Sequence, residues 1–169
     1  SRIGFILGQR GGVYQERLKG AARAFQARGM KMDNRLVVRV DNTNPFFLAR
    51  SGYQGGIDLL KLKLRPTAVA AFGDVFAISA MRAFRDAGLK VPEDIAITGF
   101  DDTMNLAEYA DPPLTTVRQN TTEMGRRSIR LLLDSIAREP GSSETGQVIF
   151  IKPKLVVRKS CGSQVQATR

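Results

Sequence analysis

Residues 91–102 read VPEDIAITGFDD. Pro92 blocks a helix here, because its ring fixes φ and removes the backbone donor. The apolar run 95–100 has the length and β-branched content of a buried strand, and it stops at two adjacent carboxylates, Asp101 and Asp102. Upstream, residues 65–74 read RPTAVAAFGD, and 68–72 is a second run, short and small, as a strand covered on both faces should be. Between the runs Ala77, Met81 and Phe84 keep helical spacing, Asp74 is placed to cap that helix, and Gly88 ends it. Strand, helix and strand at this spacing form a βαβ unit with parallel strands.

The same alternation continues toward both ends. Residues 3–7 form an apolar run that ends at Gly8 and the Gly11–Gly12 turn, followed by a helix with Leu18, Ala21, Ala22 and Phe25 on one face and Gly29 as its stop. Residues 36–40 read as a strand, then comes the turn-rich DNTNP of 41–45 and a helix through Ile57, Leu59 and Leu60, whose start is blurred by Gly52, Gly55 and Gly56. Residues 114–117 make the fifth run, after Pro112 and Pro113. The expected fold is therefore α/β, three layers with helices on both faces of a mainly parallel sheet. Open parallel sheets bind ligands beyond the carboxyl ends of their strands, so residues 8–14, Gly73 with Asp74, and Asp101 with Asp102 should share one edge.

Past the fifth run, Asn120 with Glu123 three residues on signals a capped helix over 122–138 carrying Met124, Ile129, Leu132, Leu133 and Ile136. A polar loop, 140–146, precedes two further strands at 148–151 and 155–157, and the polar tail 163–169 should fray. No repeat with a period of 20 to 50 residues is present.

Composition removes several function classes. The 169 residues, 43% hydrophobic, suit one domain with a real core. No apolar run reaches the roughly eighteen residues of a membrane span, and Ser1 and Arg2 lead straight into the first strand, so the visible chain should be soluble. With one cysteine, Cys161, and no histidine, the usual zinc-ligand sets and Ser/His or Cys/His nucleophile pairs cannot be built. No metal, cofactor or catalytic residue is expected. A phosphate-accepting receiver would need acidic residues after the first strand, where Gln9 and Arg10 stand, and the glycines of 8–12 lack both the dinucleotide and the phosphate-loop patterns. The net charge of +10 would suit nucleic acid, but its Lys and Arg are scattered without interleaved aromatics, as on a solvated surface.

In order and spacing, RPTAVAAFGD, VPEDIAITGFDD and PPLTTVRQ (112–119), with Met124, Gly125 and the leucine run after them, resemble the lactose/galactose repressor family. The resemblance runs from Ser1 to about Gly162 and covers the later part of the family's effector-binding domain, which has two lobes of the periplasmic-binding-protein type (type I). It implies that residues 1–118 and the returning strands in 147–162 form the C-terminal lobe, that 119–140 is a crossover helix belonging to the N-terminal lobe, and that 163–169 is a tail. The helix-turn-helix head of the family is not encoded here, so operator DNA would be reached only through it. The implied function is sensing a small-molecule effector, a sugar or phosphorylated sugar, for a cytoplasmic, dimeric transcriptional regulator. The alternative is a periplasmic sugar-binding protein of the same architecture.

The resemblance also implies a ligand site. Asp101 falls where an ionised carboxylate accepts ligand hydroxyls, whereas Asp102 supports the loop. Arg17 falls at the effector-contacting arginine, whose fork of donors suits hydroxyls or an anion. Phe47 fits the aromatic wall, with Phe46 as competitor because 42–46 is longer than usual in the family. Gln119 either contacts the ligand or serves as hinge. Gly73 and Asp74 complete the set, and Gly73 departs from the asparagine usual there, which leaves the effector's identity open. Burying a large apolar side chain is worth about 1.5–3 kcal/mol, so the crossover helix should be covered by another chain, a second copy being the natural candidate, or else disordered.

Overall fold

The computed structural model describes residues 2–137 and 148–163. The loop 140–146, Arg138 and all but the first residue of the tail lie outside them. Four parallel strands, β1 (Ile3–Gly8), β2 (Val37–Val40), β3 (Ala68–Ala71) and β4 (Ala96–Thr98), pair in the order β2-β1-β3-β4. The helices α1 (Gly12–Gln26), α2 (Leu48–Lys61) and α3 (Asp74–Asp86) connect them. This is the expected three-layer fold. Ile6, Val69, Ala71 and Ile97 point into a core shared with Leu59, Phe76, Ala80, Met81 and Phe84 of α2 and α3. Phe5, Leu7 and Phe72 face the other way, against Leu18, Ala21 and Phe25 of α1.

The glycines that blurred the start of α2 have a packing reason. Gly52 and Gly56 lie against the backbone and small side chains of α3, and Gly55 lies against Ile6 and Val40 of the sheet. The two helices meet where a side chain would hold them apart. Gly29 adopts φ 65 just past α1, consistent with its role as the stop.

Several boundaries differ from expectation. The ladder of β4 is shorter than 95–100, because Gly99 and Asp101 turn their amides to Thr115 and Val117 of the next segment instead. That segment forms β5 (Thr116–Arg118), starting later than residue 114 and joined to the parallel sheet only by the bridges Thr98 to Thr115 and Asp101 to Arg118. Its regular partner is the antiparallel β6 (Lys154–Val156). Residues 148–151 are not a strand: Val148 and Phe150 are exposed and find no neighbouring ladder. Asp74 is the first residue of α3 and not its cap; the cap position is Gly73, with no side-chain cap bond.

Helix α4 (Thr121–Ile136) is capped as expected, Asn120 Oδ1 accepting from the Glu123 amide at 3.1 Å. It is fully formed, so the disordered alternative is not observed, yet none of its residues is buried. Ile129, Leu132, Leu133 and Ile136 are all exposed, Ile136 to 71%. No described helix is long and apolar enough to cross a membrane.

Candidate ligand site

The strand order reverses direction between β1 and β3, the switch point at which loops diverge and leave a crevice. The three segments expected at one edge do meet there. From α1, Arg17 reaches across the crevice: its Nη1 donates to the Phe72 carbonyl at 2.6 Å and its Nη2 to Asp101 Oδ1 at 3.2 Å. Its guanidinium stacks 3.7 Å from the centre of the Phe100 ring, a favourable cation–π position. Gln119 Nε2 donates to the same Asp101 Oδ1 at 2.7 Å. Arg17, Asp101 and Gln119, drawn from three distant parts of the chain, thus form one hydrogen-bonded group.

Asp101 is held in an unusual backbone conformation, φ 114, which an L side chain rarely adopts. Its amide donates to Val117 and its carbonyl accepts from Gln119, so the surrounding strands impose it. The result aims the carboxylate at a cavity of about 90 Å³ lined by Tyr14, Leu48, Gly73, Phe76, Thr103 and Leu106, among others. Oδ1 is occupied, whereas Oδ2 has no hydrogen-bond partner among the described residues. Gly73 faces it: a Cβ built there would meet the Phe76 ring at 3.4 Å and Asp101 Oδ2 at 4.0 Å. At φ −177 the backbone there is extended and suits any residue.

Asp74 and Asp102 lie beneath this surface. Asp74 is buried; its Oδ1 accepts from Thr116 Oγ1 and its Oδ2 from the Asp102 amide at 2.7 Å. Gly99 is glycine because a Cβ there would collide with the Asp74 carboxylate. The Asp102 side chain is 1% exposed and accepts from Arg118 Nε at 2.6 Å and Arg158 Nη2 at 3.1 Å. It supports the loop as expected, though by tying it to β5 and to the segment after β6.

Burial pushes the Asp74 carboxyl above its ordinary value of 3.8, the hydrogen bonds from Thr116 and the Asp102 amide oppose this, and the nearby Asp101 and Asp102 charges add to it. A carboxyl that holds its proton more tightly in the folded state favours folding fully below its unfolded pKa, and that contribution is lost as pH rises through the folded value. Asp74→Asn, whose amide can serve both partners because a hydroxyl also accepts, should remove this dependence. Melting temperatures should therefore fall less for the variant than for the parent as pH rises from about 4 to 7; parallel curves would contradict the assignment.

Phe47 is not brought to this group. Residues Pro45–Phe47 form a 3-10 turn capped by the Asn44 side chain. Leu48, the first residue of α2, lines the cavity beside Asp101, while Phe47 lines a separate cavity with Arg39, Asp41 and Arg50, and Phe46 is almost fully exposed. Tyr14 and Phe76 are the aromatic residues that line the cavity beside Asp101. Tyr14 could have been found in the sequence, since it lies one helical turn before Arg17. Arg158 and Thr116 carry no local signal. A larger cavity, about 590 Å³, shares Thr103 with the cavity beside Asp101 and is lined by Gln119, Arg118, Lys152, Lys154 and the first turn of α4.

Residues 1–161 match the model of a periplasmic binding protein-like domain. The HTH-type transcriptional repressor PurR of Photobacterium profundum is 33% identical over 146 residues, which cover 86% of this chain and 41% of that protein. Among solved structures, a transcriptional regulator CelR–cellobiose complex superposes with TM-score 0.82 at 37% identity, covering 94% of this chain and 46% of that one. A transcriptional regulator of the LacI family from Sanguibacter keddieii DSM 10542 gives TM-score 0.83 at 31% identity, covering 96% and 58%. The chain spans about two fifths of the length of the curated relatives it matches. The chain therefore belongs to the periplasmic binding protein-like domain family, in the form found in LacI-family transcriptional regulators.

Proposed function

We propose that this chain is the effector-sensing part of a transcriptional regulator and that its effector is a sugar or sugar derivative held at Asp101. The observation that carries this reading is the Asp101 carboxylate itself: one oxygen is fixed by Arg17 and Gln119, and the other opens on a cavity with aromatic and aliphatic walls. A fixed acceptor beside apolar surface matches a sugar, which presents hydroxyl donors at its rim and C–H groups on its faces. The known complex of CelR with cellobiose supports the same class.

The cavity is too small to enclose a sugar, and the open face of α4 lies next to Gln119 and Asn120 in sequence. Both fit a cleft completed by a second lobe built from residues outside this chain, with residues 1–118 and 147–162 as one lobe and 119–140 crossing into the other. Effector binding between the lobes then changes their relative pose. In this reading the regulator is a cytoplasmic homodimer, and it reaches operator DNA through a head outside this chain.

Asp101→Gly separates binding from folding. Glycine adopts φ 114 without strain, which offsets part of the cost of leaving Arg17, 14% exposed, without its carboxylate. The variant of the intact protein should stay folded with a somewhat lower melting temperature, and the thermal stabilisation that an effector sugar gives the parent should disappear. Equal stabilisation of both proteins by that sugar would refute the role given to Asp101.

A further inference from the structure

We propose that the cavity of about 590 Å³ between the β5–β6 ladder and the start of α4 is an anion site that takes a phosphate or phosphoryl group. The inference does not rest on the role given to Asp101. The cations of this chain are scattered in sequence, but the ladder gathers three of them, and Arg118, Lys152 and Lys154 all line this cavity. Arg118 and Lys154 stand directly opposite each other in the antiparallel register. Like charges placed in this way destabilise a sheet. Lysines that merely blunt an exposed strand edge are the plain alternative, and the pleat argues against it. Side chains alternate across a strand, so Arg118 shares a face with Thr116, and Lys154 shares one with Val156. Thr116 is fully buried, whereas Leu155, on the opposite face, is 60% exposed. The ladder therefore turns its cations toward the body of the fold and an apolar residue away from it, the reverse of what solvation alone would give.

The one carboxylate at this cavity does not cancel the charge. Asp102 is 1% exposed and is shared between Arg118 and Arg158, so one negative charge serves two cations. Among the described residues, Lys152 and Lys154 have no ion-pair partner. Arg118 commits its Nε to Asp102, which leaves its terminal nitrogens as donors. The start of α4 adds the hydroxyls of Thr121 and Thr122 and the positive end of the helix dipole, which Glu123 in the first turn offsets in part. A phosphate carries about 1.5–2 negative charges near neutral pH and accepts on several oxygens, so it can meet cations from both strands at once. A carboxylate has a single charge in one plane. The volume lies within the roughly 300–1,000 Å³ of small-molecule sites, so the group can arrive free or on a larger molecule.

The test is calorimetric titration of the intact protein with inorganic phosphate, D-glucose 6-phosphate and D-glucose, at one low ionic strength set with sodium chloride. Lys154→Glu should have two opposite effects. It replaces a cross-strand pair of like charge by one of opposite charge, so it should melt higher than the parent, and it should bind phosphate about tenfold or more weakly. Lys61→Glu, at the end of α2, makes the same change in net charge away from the cavity and should bind as the parent does. Inorganic phosphate binding at least as tightly as the ester assigns the site to free phosphate. Tighter binding of the ester than of either inorganic phosphate or glucose assigns it to the phosphoryl group of a larger ligand. Absence of binding by both phosphates, equal phosphate affinity in the parent and Lys154→Glu, an equal loss in Lys61→Glu, or a Lys154→Glu protein that melts below the parent would overturn the anion site.

Discussion

Asp102→Ala should destabilise the protein by about 3–5 kcal/mol, the range seen when one partner of a buried ion pair is removed. The side chain is 1% exposed and accepts from both Arg118 and Arg158, and Arg158 is itself only 13% exposed, with Leu114 O as its other acceptor. Without Asp102, Arg158 keeps a charge it cannot bring to water. The loss also reaches the topology, since Arg158 follows β6 and Asp102 follows β4, so the pair ties the returning segment to the sheet. Asp102 adopts φ 51, a conformation asparagine tolerates far better than alanine. Asp102→Asn should therefore cost less than Asp102→Ala, since one oxygen still accepts, although the charge is lost and the amide nitrogen faces an arginine donor. Urea unfolding of the three proteins checks this, and an Asp102→Ala cost below about 1 kcal/mol would contradict a structural role. The adjacent carboxylate differs: Asp101 is 34% exposed, and its replacement should change binding more than stability.

Gly52→Val should cost about 3 kcal/mol and weaken ligand binding with it, the upper part of the range for overpacking a close-packed contact. A Cβ at this position would lie 2.6 Å from the Phe76 Cα and 2.9 Å from its carbonyl oxygen. These are backbone atoms of the first turn of α3, and they cannot rotate aside. The helices must separate, and the turn that moves carries Phe76 in the cavity wall and Asp74 beneath it. Gly20→Ala on α1 is the control, because a Cβ there meets nothing within 4 Å and should stabilise the helix by about 0.5–1 kcal/mol. Chemical unfolding and ligand titration of both variants test the contrast; a Gly52→Val protein with parental stability would show that α2 and α3 are not locked in this register.

Much of the candidate site is legible in the sequence. Asp101 is marked by its place at the end of an apolar run, and Arg17 and Gln119 by a resemblance carried in residues 65–119. Their convergence on one carboxylate oxygen follows from parallel topology, which brings the ends of β1, β3 and β4 to one edge. The departures lie where side-chain direction matters. Phe47 and Leu48 are neighbours, and which one enters the cavity depends on a 3-10 turn only three residues long. Asp74 has the character of a cap, but burial and Thr116, 42 residues away, draw its carboxylate inward instead.

What the sequence by itself determined is the α/β class, the order of strands and helices, and the identity of the carboxyl edge. These follow from local periodicity, from proline and glycine punctuation and from the handedness of βαβ units, all properties of contiguous residues. Only the tertiary structure shows the means by which the two carboxylates differ, Asp102 buried on two arginines and Asp101 opening on a cavity, a division the family resemblance had implied. Asp101 and Asp102 are adjacent and chemically alike, and nothing local separates them. The difference comes from Arg118, Arg158, Arg17 and Gln119, whose approach depends on how β5 and β6 close on the sheet, and a charge is buried or presented according to the partners that packing brings to it.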